Sequence, residues 1–222
     1  MSLNWTWTAF GLTVAVLALY EALSTLMQFR RPERLARSAH ASLRQEWFEA
    51  VSVQKGTEIL AVQTLRNSLM SATMLASTVA LALMGTVTLA APSLHSIGEA
   101  VQGAGLVTPQ LALELVLLGL LFASLVSTVM AVRFYNHAGF IGAIPVGSET
   151  RERWNAAGSA YVRKAGLLYS VGLRHLILAV PVVAGILSPI AGPVAAVLVV
   201  AVLLLLDRFD AGKAQDDEEQ TT

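Results

Sequence analysis

The amino-acid sequence predicts an all-α integral membrane protein, a four-helix bundle with cytoplasmic helical extensions and a last span broken by proline and glycine. Three observations predict this fold class. Hydrophobic residues make up 55% of the 222 residues and charged residues only 14%, which is more apolar than a soluble domain of this size. Four stretches are long and apolar enough to cross a bilayer. The basic residues are confined to alternate segments between those stretches.

The first predicted span covers residues 8–27 and contains a single charge, Glu21. Trp5 and Trp7 precede it, and tryptophan is enriched where a helix enters the membrane interface. The few residues before it carry no basic charge and no small-residue cleavage site, unlike a signal peptide. We therefore expect the segment to be retained as a span.

The second and third spans are predicted from uncharged apolar stretches. The second covers residues 68–91, and we expect Pro92 to close it because proline removes a backbone donor. The third covers residues 109–133 and begins with a proline, which suits a first helical turn. Glu114 lies one turn inside its outer end.

The last apolar run, residues 176–206, is too long for a straight span. Its 31 residues would form a helix of about 46 Å, whereas the hydrocarbon core needs ~30 Å. Five helix-breaking residues interrupt it: Pro181, Gly185, Pro189, Gly192 and Pro193. We predict a kinked single span, and a re-entrant hairpin is the alternative.

Charge distribution predicts the orientation in the membrane. Thirteen of the fifteen Lys and Arg residues lie within residues 30–66 and 133–174. By the positive-inside rule both segments are cytoplasmic, so the N-terminus and the loop 92–110 lie outside. A kinked last span would put the C-terminus outside as well, whereas a hairpin would make it cytoplasmic. We expect a multi-pass protein of the cell inner membrane.

The chain divides into one transmembrane domain, residues 1–210, and an acidic tail, residues 211–222, that we expect to be disordered. The cytoplasmic parts are residues 28–67 and 134–175. The first contains Leu43, Trp47 and Val51 at four-residue spacing, which is typical of an amphipathic helix lying on the membrane or on another subunit. Residues 57–91 lack proline, so the second helix should extend into the cytoplasm.

Polar residues recur at the cytoplasmic ends of all four spans. On the second and third spans they stand at i, i+3 and i+4, which places them on one helical face. The candidate site residues at this level are Gln63, Arg66 and Asn67, then Arg133, Asn136 and His137, and finally Arg174 and Glu21. Ionisable groups near hydrocarbon usually face a bundle interior or a water-filled cavity. We therefore expect one polar layer, with Glu21 as the counter-charge of Arg66 or Arg133.

Two interpretations of this layer are open. The residues either form a hydrogen-bonded network that holds the helix ends together, or line a polar vestibule. The arginines of a vestibule would favour an anionic ligand or a lipid headgroup, and a histidine such as His137 can change protonation near neutral pH. Glu114 stands apart at the outer end, where a ring of such residues in an oligomer would select cations, although a single carboxylate there is often only interfacial.

Other functional classes find no support in the sequence. Without cysteine there is no disulfide, thiolate nucleophile or Cys-based metal site. The four histidines lack paired ligand spacing, and no P-loop, HExxH or nucleophile-elbow motif is present. The formal charge is zero, so no basic surface for nucleic acid is indicated. We therefore expect no enzyme, no cofactor, no metal and no nucleic-acid partner.

Several stretches resemble a family of bacterial and plant membrane proteins catalogued as domain of unknown function 599. The two most specific are AVQTLRNSLMSATMLASTVALAL at residues 61–83 and VRFYNHAGFIGAIP at residues 132–145. Further agreement comes from Arg44-Gln-Glu-Trp47, Gly172-Leu173-Arg174, Gly192-Pro193 and Asp207. The chain departs from the family just before that Gly-Pro, where it has Leu187, Ser188 and Pro189 in place of aromatic residues. The resemblance implies the four-span topology and adds no mechanism.

Function is predicted only at the level of class. Four short spans leave little room for a path inside one protomer, so the leading hypothesis is a homo-oligomeric channel or transporter for an ion or small solute. The alternative is a non-transporting scaffold or regulatory subunit that binds anionic lipid or a partner protein. A membrane enzyme ranks third.

Overall fold

The computed structural model describes residues 3–30, 36–100 and 108–207. Within these ranges the chain forms six α-helices and short turns, and there is no strand. The helices are α1 (Leu3–Arg30), α2 (Ala36–Val53), α3 (Glu58–Ala100), α4 (Pro109–Ala143), α5 (Glu149–Leu187) and α6 (Ala191–Leu206). Helices α1, α3, α4 and α5 are long and apolar enough to cross a membrane, and α6 is a shorter apolar helix. The predicted all-α class is confirmed. The acidic tail lies outside the described residues.

Helices α3 and α4 both run past the predicted ends of their spans. Helix α3 begins at Glu58, which confirms the predicted extension before the second span. It also continues through Pro92 to Ala100, so the prediction that this proline closes the helix is wrong. A single proline costs a helix one hydrogen bond, which membrane helices often tolerate. Helix α4 continues to Ala143, so most of the VRFYNHAGFIGAIP motif is helical.

The last apolar run reverses direction instead of kinking. Ser188 has an extended backbone, as expected for the residue before a proline, and α5 ends there. Near this turn the backbones of Gly185 and Gly192 come so close that a Cβ on Gly192 would lie 2.9 Å from the Cα of Gly185. At the far end Arg174 of α5 pairs with Asp207, the C-cap of α6, at 2.6 Å. The prediction of a single kinked span is therefore wrong, and the hairpin alternative is correct.

This hairpin packs against α1 and fixes the direction of α6 within the bundle. Gly192, at the start of α6, faces Thr13 of α1, whereas Asp207 at its end faces Tyr20. Helix α6 therefore runs alongside α1 in the same direction. The end of α6 lies at the opposite end of the bundle from the start of α1, and the predicted placement of both termini outside the cytoplasm stays a prediction.

Helix α5 is the centre of the bundle and α3 lies at its edge. Helix α5 packs against α4, α2 and α6, while α3 packs mainly against α4. The side chains of Met70, Met74, Leu81 and Met84 are consequently exposed on α3. Such a face suits lipid or a second protein, because lipid tails are as apolar as these side chains.

Candidate functional site

A buried ion pair holds α5, α6 and α1 together. Arg174 is only 7% exposed, and its Nη2 donates hydrogen bonds to both carboxylate oxygens of Asp207 at 2.7 and 2.6 Å. Its Nη1 donates to the hydroxyl of Ser24, and the Tyr20 hydroxyl donates to Asp207 Oδ2 at 3.1 Å. The guanidinium also lies 5.5 Å from the centre of the Tyr20 ring. We call Tyr20, Ser24, Arg174 and Asp207 the Arg174 cluster.

The helices explain how these four residues meet. Tyr20 and Ser24 are one turn apart on α1 and therefore share a face. Asp207 is the C-cap of α6, where a carboxylate opposes the helix dipole. A cation is favourable at that position, so Arg174 offsets both the carboxylate and the helix terminus. Since buried charges are costly in a membrane, such a pair marks a candidate functional site.

Two further ionisable residues lie next to the Arg174 cluster and have unsatisfied atoms. Glu21 and His175 follow Tyr20 and Arg174 in the sequence, and Glu21 Oε1 lies 3.9 Å from His175 Nε2, too far for a hydrogen bond. Glu21 Oε1 and His175 Nδ1 are both buried and have no hydrogen-bond partner. Buried polar atoms without a hydrogen-bond partner are rare in folded proteins, so these two atoms indicate a functional role. No convergence of three His, Asp or Glu residues that would bind a metal occurs in the described parts of the chain.

A cavity of about 410 Å³ opens at the other end of the same three helices. Thr6 and Thr13 of α1, Gln110 of α4, and Gly185 and Pro189 near the hairpin turn are among its lining residues. We call it the outer cavity. It contains hydroxyl and amide groups but no charged side chain.

An apolar layer separates the outer cavity from the Arg174 cluster. Leu17, Leu178, Val182 and Ala196 are buried in one hydrophobic cluster, and Tyr20 belongs to it too. They occupy the length of α1, α5 and α6 between Thr13 and Tyr20. The contact surface of these three helices, which we call the seam, is therefore polar at both ends and closed in the middle.

Only two of the predicted site residues lie in this region, namely Arg174 and Glu21. Glu21 faces His175, so its predicted role as counter-charge of Arg66 or Arg133 is wrong. The remaining residues of the predicted cytoplasmic layer are exposed on their helices: Gln63, Arg66 and Asn67 on α3, and Arg133, Asn136 and His137 on α4.

No hydrogen bond or ion pair among the described residues joins the α3 group of that layer to the α4 group. The His137 ring lies 5.8 Å from the Tyr161 ring of α5, which is a local packing contact. The assignment of these six exposed residues to an ion pathway stays a prediction.

Glu114 is buried near the start of α4, with 8% of its surface exposed. Its Oε1 accepts a hydrogen bond from Gln110 Nε2 at 3.2 Å, and its Oε2 is buried without a partner. A buried carboxylate with an unpaired oxygen is better evidence of a functional role than a carboxylate exposed at the membrane interface. Its neighbour in this bond, Gln110, also lines the outer cavity.

Sequence reasoning missed one fully buried arginine, Arg151, because it stands among exposed charges at the start of α5. Its guanidinium donates to the carbonyls of Ile141 and Ile144 at the end of α4, and to Ser52 Oγ of α2 at 2.9 Å. These bonds satisfy helix-terminal acceptors that would otherwise be unpaired. Arg151 therefore joins three helices and has a structural role.

Sequence reasoning also left Tyr20, Ser24 and Asp207 out of the candidate site. A usable signal existed, because Pro189 divides the last apolar run into two halves. If that run is a hairpin, Asp207 and Arg174 must lie near each other, about equally far from the turn. Ser24 carries no such signal, since serine hydroxyl groups in membrane helices usually bond to their own backbone. The sequence around Tyr20 carries none either.

The chain was compared with known proteins. Comparison with the curated proteins and with the solved structures finds no match. Residues 8–211 match the model of a family described as protein of unknown function, DUF599, which covers the described helices almost completely. By this match the chain belongs to the DUF599 family, whose members have no assigned function.

Proposed function

We propose that the protein carries an ion or small solute across the membrane along the seam between α1, α5 and α6. The observation that carries this proposal is the Arg174 cluster, a buried ion pair in a bundle whose helices are apolar enough to span a membrane. Charged residues at such positions usually mark substrate pathways or proton relays.

The chemistry of the cluster favours an anion as the transported species. Arg174 is the cation of the site, and Asp207 is its present counter-ion. An incoming anion would replace the carboxylate on the planar guanidinium, which binds carboxylates and phosphates through paired hydrogen bonds. Glu21 and His175 lie beside it, and each has a buried atom without a hydrogen-bond partner that a transported ion or its water could satisfy.

The closed middle of the seam fits a transporter better than a permanently open channel. The outer cavity gives access from one end, and the apolar layer around Leu17 and Val182 blocks the way to the Arg174 cluster. Movement of the α5–α6 hairpin against α1 would open this layer. Close backbone contact between Gly185 and Gly192 would let the two helices of the hairpin move as one unit.

Orientation and assembly belong to the same proposal. With the basic segments in the cytoplasm, the outer cavity faces outward and the Arg174 cluster faces the cytoplasm, together with the end of α6. The homo-oligomer in the cell inner membrane stays a prediction, but the seam lies within one protomer, so this path does not need the oligomer. Helix α3 is the element that we expect at the contact between copies, because α4 is its main neighbour.

The test is flux through purified protein in sealed liposomes, with indicators for chloride and protons inside. Asp207→Asn and Tyr20→Phe alter the cluster, and we expect either to change flux several-fold. Arg66→Ala and Arg133→Ala alter the exposed faces of α3 and α4, and we expect flux like that of the wild type. If only the latter pair changes flux, the path follows those faces and the proposed seam is wrong.

The second candidate function is a non-transporting scaffold or regulatory subunit. The apolar, closed middle of the seam is the observation that favours it, since a scaffold needs a packed centre and no path. Absence of flux for every ion tried, from protein that is folded and inserted, would support the scaffold and reject transport. Circular dichroism of the same liposomes provides the folding control.

A further inference from the structure

A second cavity, of about 320 Å³, lies away from the seam, where α2 meets α3, α4 and α5. Its polar lining comes from Arg44 of α2, Thr64 and Ser68 of α3, and Tyr135 of α4. Leu43 and Trp47 of α2 supply part of its apolar wall. No carboxylate lines it, so the cavity combines one positive charge, three hydroxyl-bearing residues and hydrocarbon. We call it the Arg44 cavity.

Arg44 is held at this place by the packing of α2 on α5. A Cβ on Gly166 would lie only 2.5 Å from Arg44 Nη1, so glycine at this position leaves the space that the guanidinium fills. The Nη1 atom is buried and has no hydrogen-bond partner. No ion pair joins Arg44 to a carboxylate in the ranges that the structure describes. A buried cation without a paired anion is unfavourable, and an anion in the cavity that Arg44 lines would offset the charge of its guanidinium.

The surroundings of Arg44 indicate which anion fits. A phosphate oxygen matches a guanidinium donor, and the hydroxyl groups of Thr64 and Tyr135 can donate to the remaining phosphate oxygens. The Ser68 hydroxyl donates to the Thr64 carbonyl at 3.2 Å and adds polarity to the wall. The apolar wall adds a requirement that free phosphate does not meet. Leu43 is 62% exposed at the edge of the cavity, and Ser68 lies where the second predicted span enters the membrane. The ligand therefore carries hydrocarbon beside its charge.

We propose that the Arg44 cavity binds the phosphate of an anionic phospholipid. Arg44 pairs with the phosphate, Thr64 and Ser68 lie beside it, and the Leu43 and Trp47 side accommodates the start of the acyl chains. The basic segments on this side match the negative surface of a cytoplasmic leaflet. This site is separate from the seam, so it does not depend on the proposed transport.

The experiment is native mass spectrometry of the full-length protein, titrated in detergent with phosphatidylglycerol or with phosphatidylcholine. We expect wild type to retain phosphatidylglycerol and Arg44→Gln to retain it about tenfold less well, the effect of losing one hydrogen bond to a charged group. Arg66→Gln is the matched control, because it removes one exposed arginine from α3 and should bind as wild type does. Equal retention by Arg44→Gln and wild type would overturn the proposal, and so would an equal loss in both variants.

A second pair of variants tests the cavity without touching its charge. Thr64→Leu fills part of the cavity and should weaken phosphatidylglycerol retention, whereas Thr73→Leu on the exposed face of the same helix should not. Addition of millimolar inorganic phosphate distinguishes the source of the anion. Displacement of the lipid by inorganic phosphate alone would show a free-anion site and overturn the lipid assignment, as would equal retention of phosphatidylcholine.

Discussion

Breaking the Arg174–Asp207 pair tests the hairpin and the candidate site together. Arg174→Gln removes the donors to both Asp207 oxygens and to Ser24, and it leaves a partly buried carboxylate with Tyr20 alone. Loss of one partner of a buried pair costs about 3–5 kcal/mol in free energy of unfolding. The Asp207 side chain is 18% exposed, so we expect the low end, about 3 kcal/mol, for Arg174→Gln and for Asp207→Asn alike.

The double variant gives the decisive comparison. Removing both charges leaves no uncompensated ion, so the double variant should cost no more than either single one, about 3 kcal/mol, which is an interaction energy of about 3 kcal/mol between the two sites. The measurement is reversible unfolding in mixed detergent micelles with increasing SDS, followed by circular dichroism. Arg163→Gln, an exposed site on α5, is the control and should stay within about 0.5 kcal/mol of wild type. Additive costs for the two single variants would refute the pairing of α5 with α6.

Three further predictions concern the rest of the bundle. Arg151→Ala should lower the free energy of unfolding by about 3 kcal/mol, because it leaves carbonyl acceptors buried and unpaired, whereas the exposed neighbour Arg153→Ala should change it by about 0.5 kcal/mol or less. Gly192→Ala should lower the thermal unfolding midpoint, since its Cβ would meet α5 backbone at 2.9 Å, and Gly119→Ala, which meets nothing, should raise it slightly. The chain has no cysteine, so a single Ala211→Cys can report the side of the membrane by reaction with an impermeant thiol reagent. With the basic segments in the cytoplasm it should react only after permeabilisation, and reaction in intact cells would contradict the proposed orientation.

Local patterns were enough to predict much of the fold. Apolar length identified α1, α3 and α4, whereas the fourth predicted span, residues 176–206, covers only the end of α5 together with α6. The absence of proline predicted that α3 extends before its span. The same local reasoning failed at Pro92, where the rule that proline ends a helix was outweighed by the helical preference of the residues around it. Rules for one residue describe a tendency, and the surrounding helix can accommodate one lost hydrogen bond.

The candidate site was predicted only in part, for a related reason. Arg66, Arg133 and Arg174 stand at similar positions relative to the ends of their predicted spans, which suggested that they share one layer. The position along a span does not determine which way a side chain points. The structure exposes the first two and buries the third against Asp207. The direction of each side chain depends on how the helices pack, which one helix cannot reveal.

The sequence by itself determined that this chain is all-α, that it has four apolar stretches long enough to span a membrane, and that most of its basic residues lie in two segments between them. These properties depend on composition and on distances along one helix. Only the tertiary structure decided that the last apolar run folds back, and that Arg174 meets a carboxylate 33 residues away. A break at Pro189 is compatible with a kink or with a reversal. Local backbone preferences do not distinguish a kink from a reversal. The packing of α6 against α1 and α5 decides in favour of the reversal.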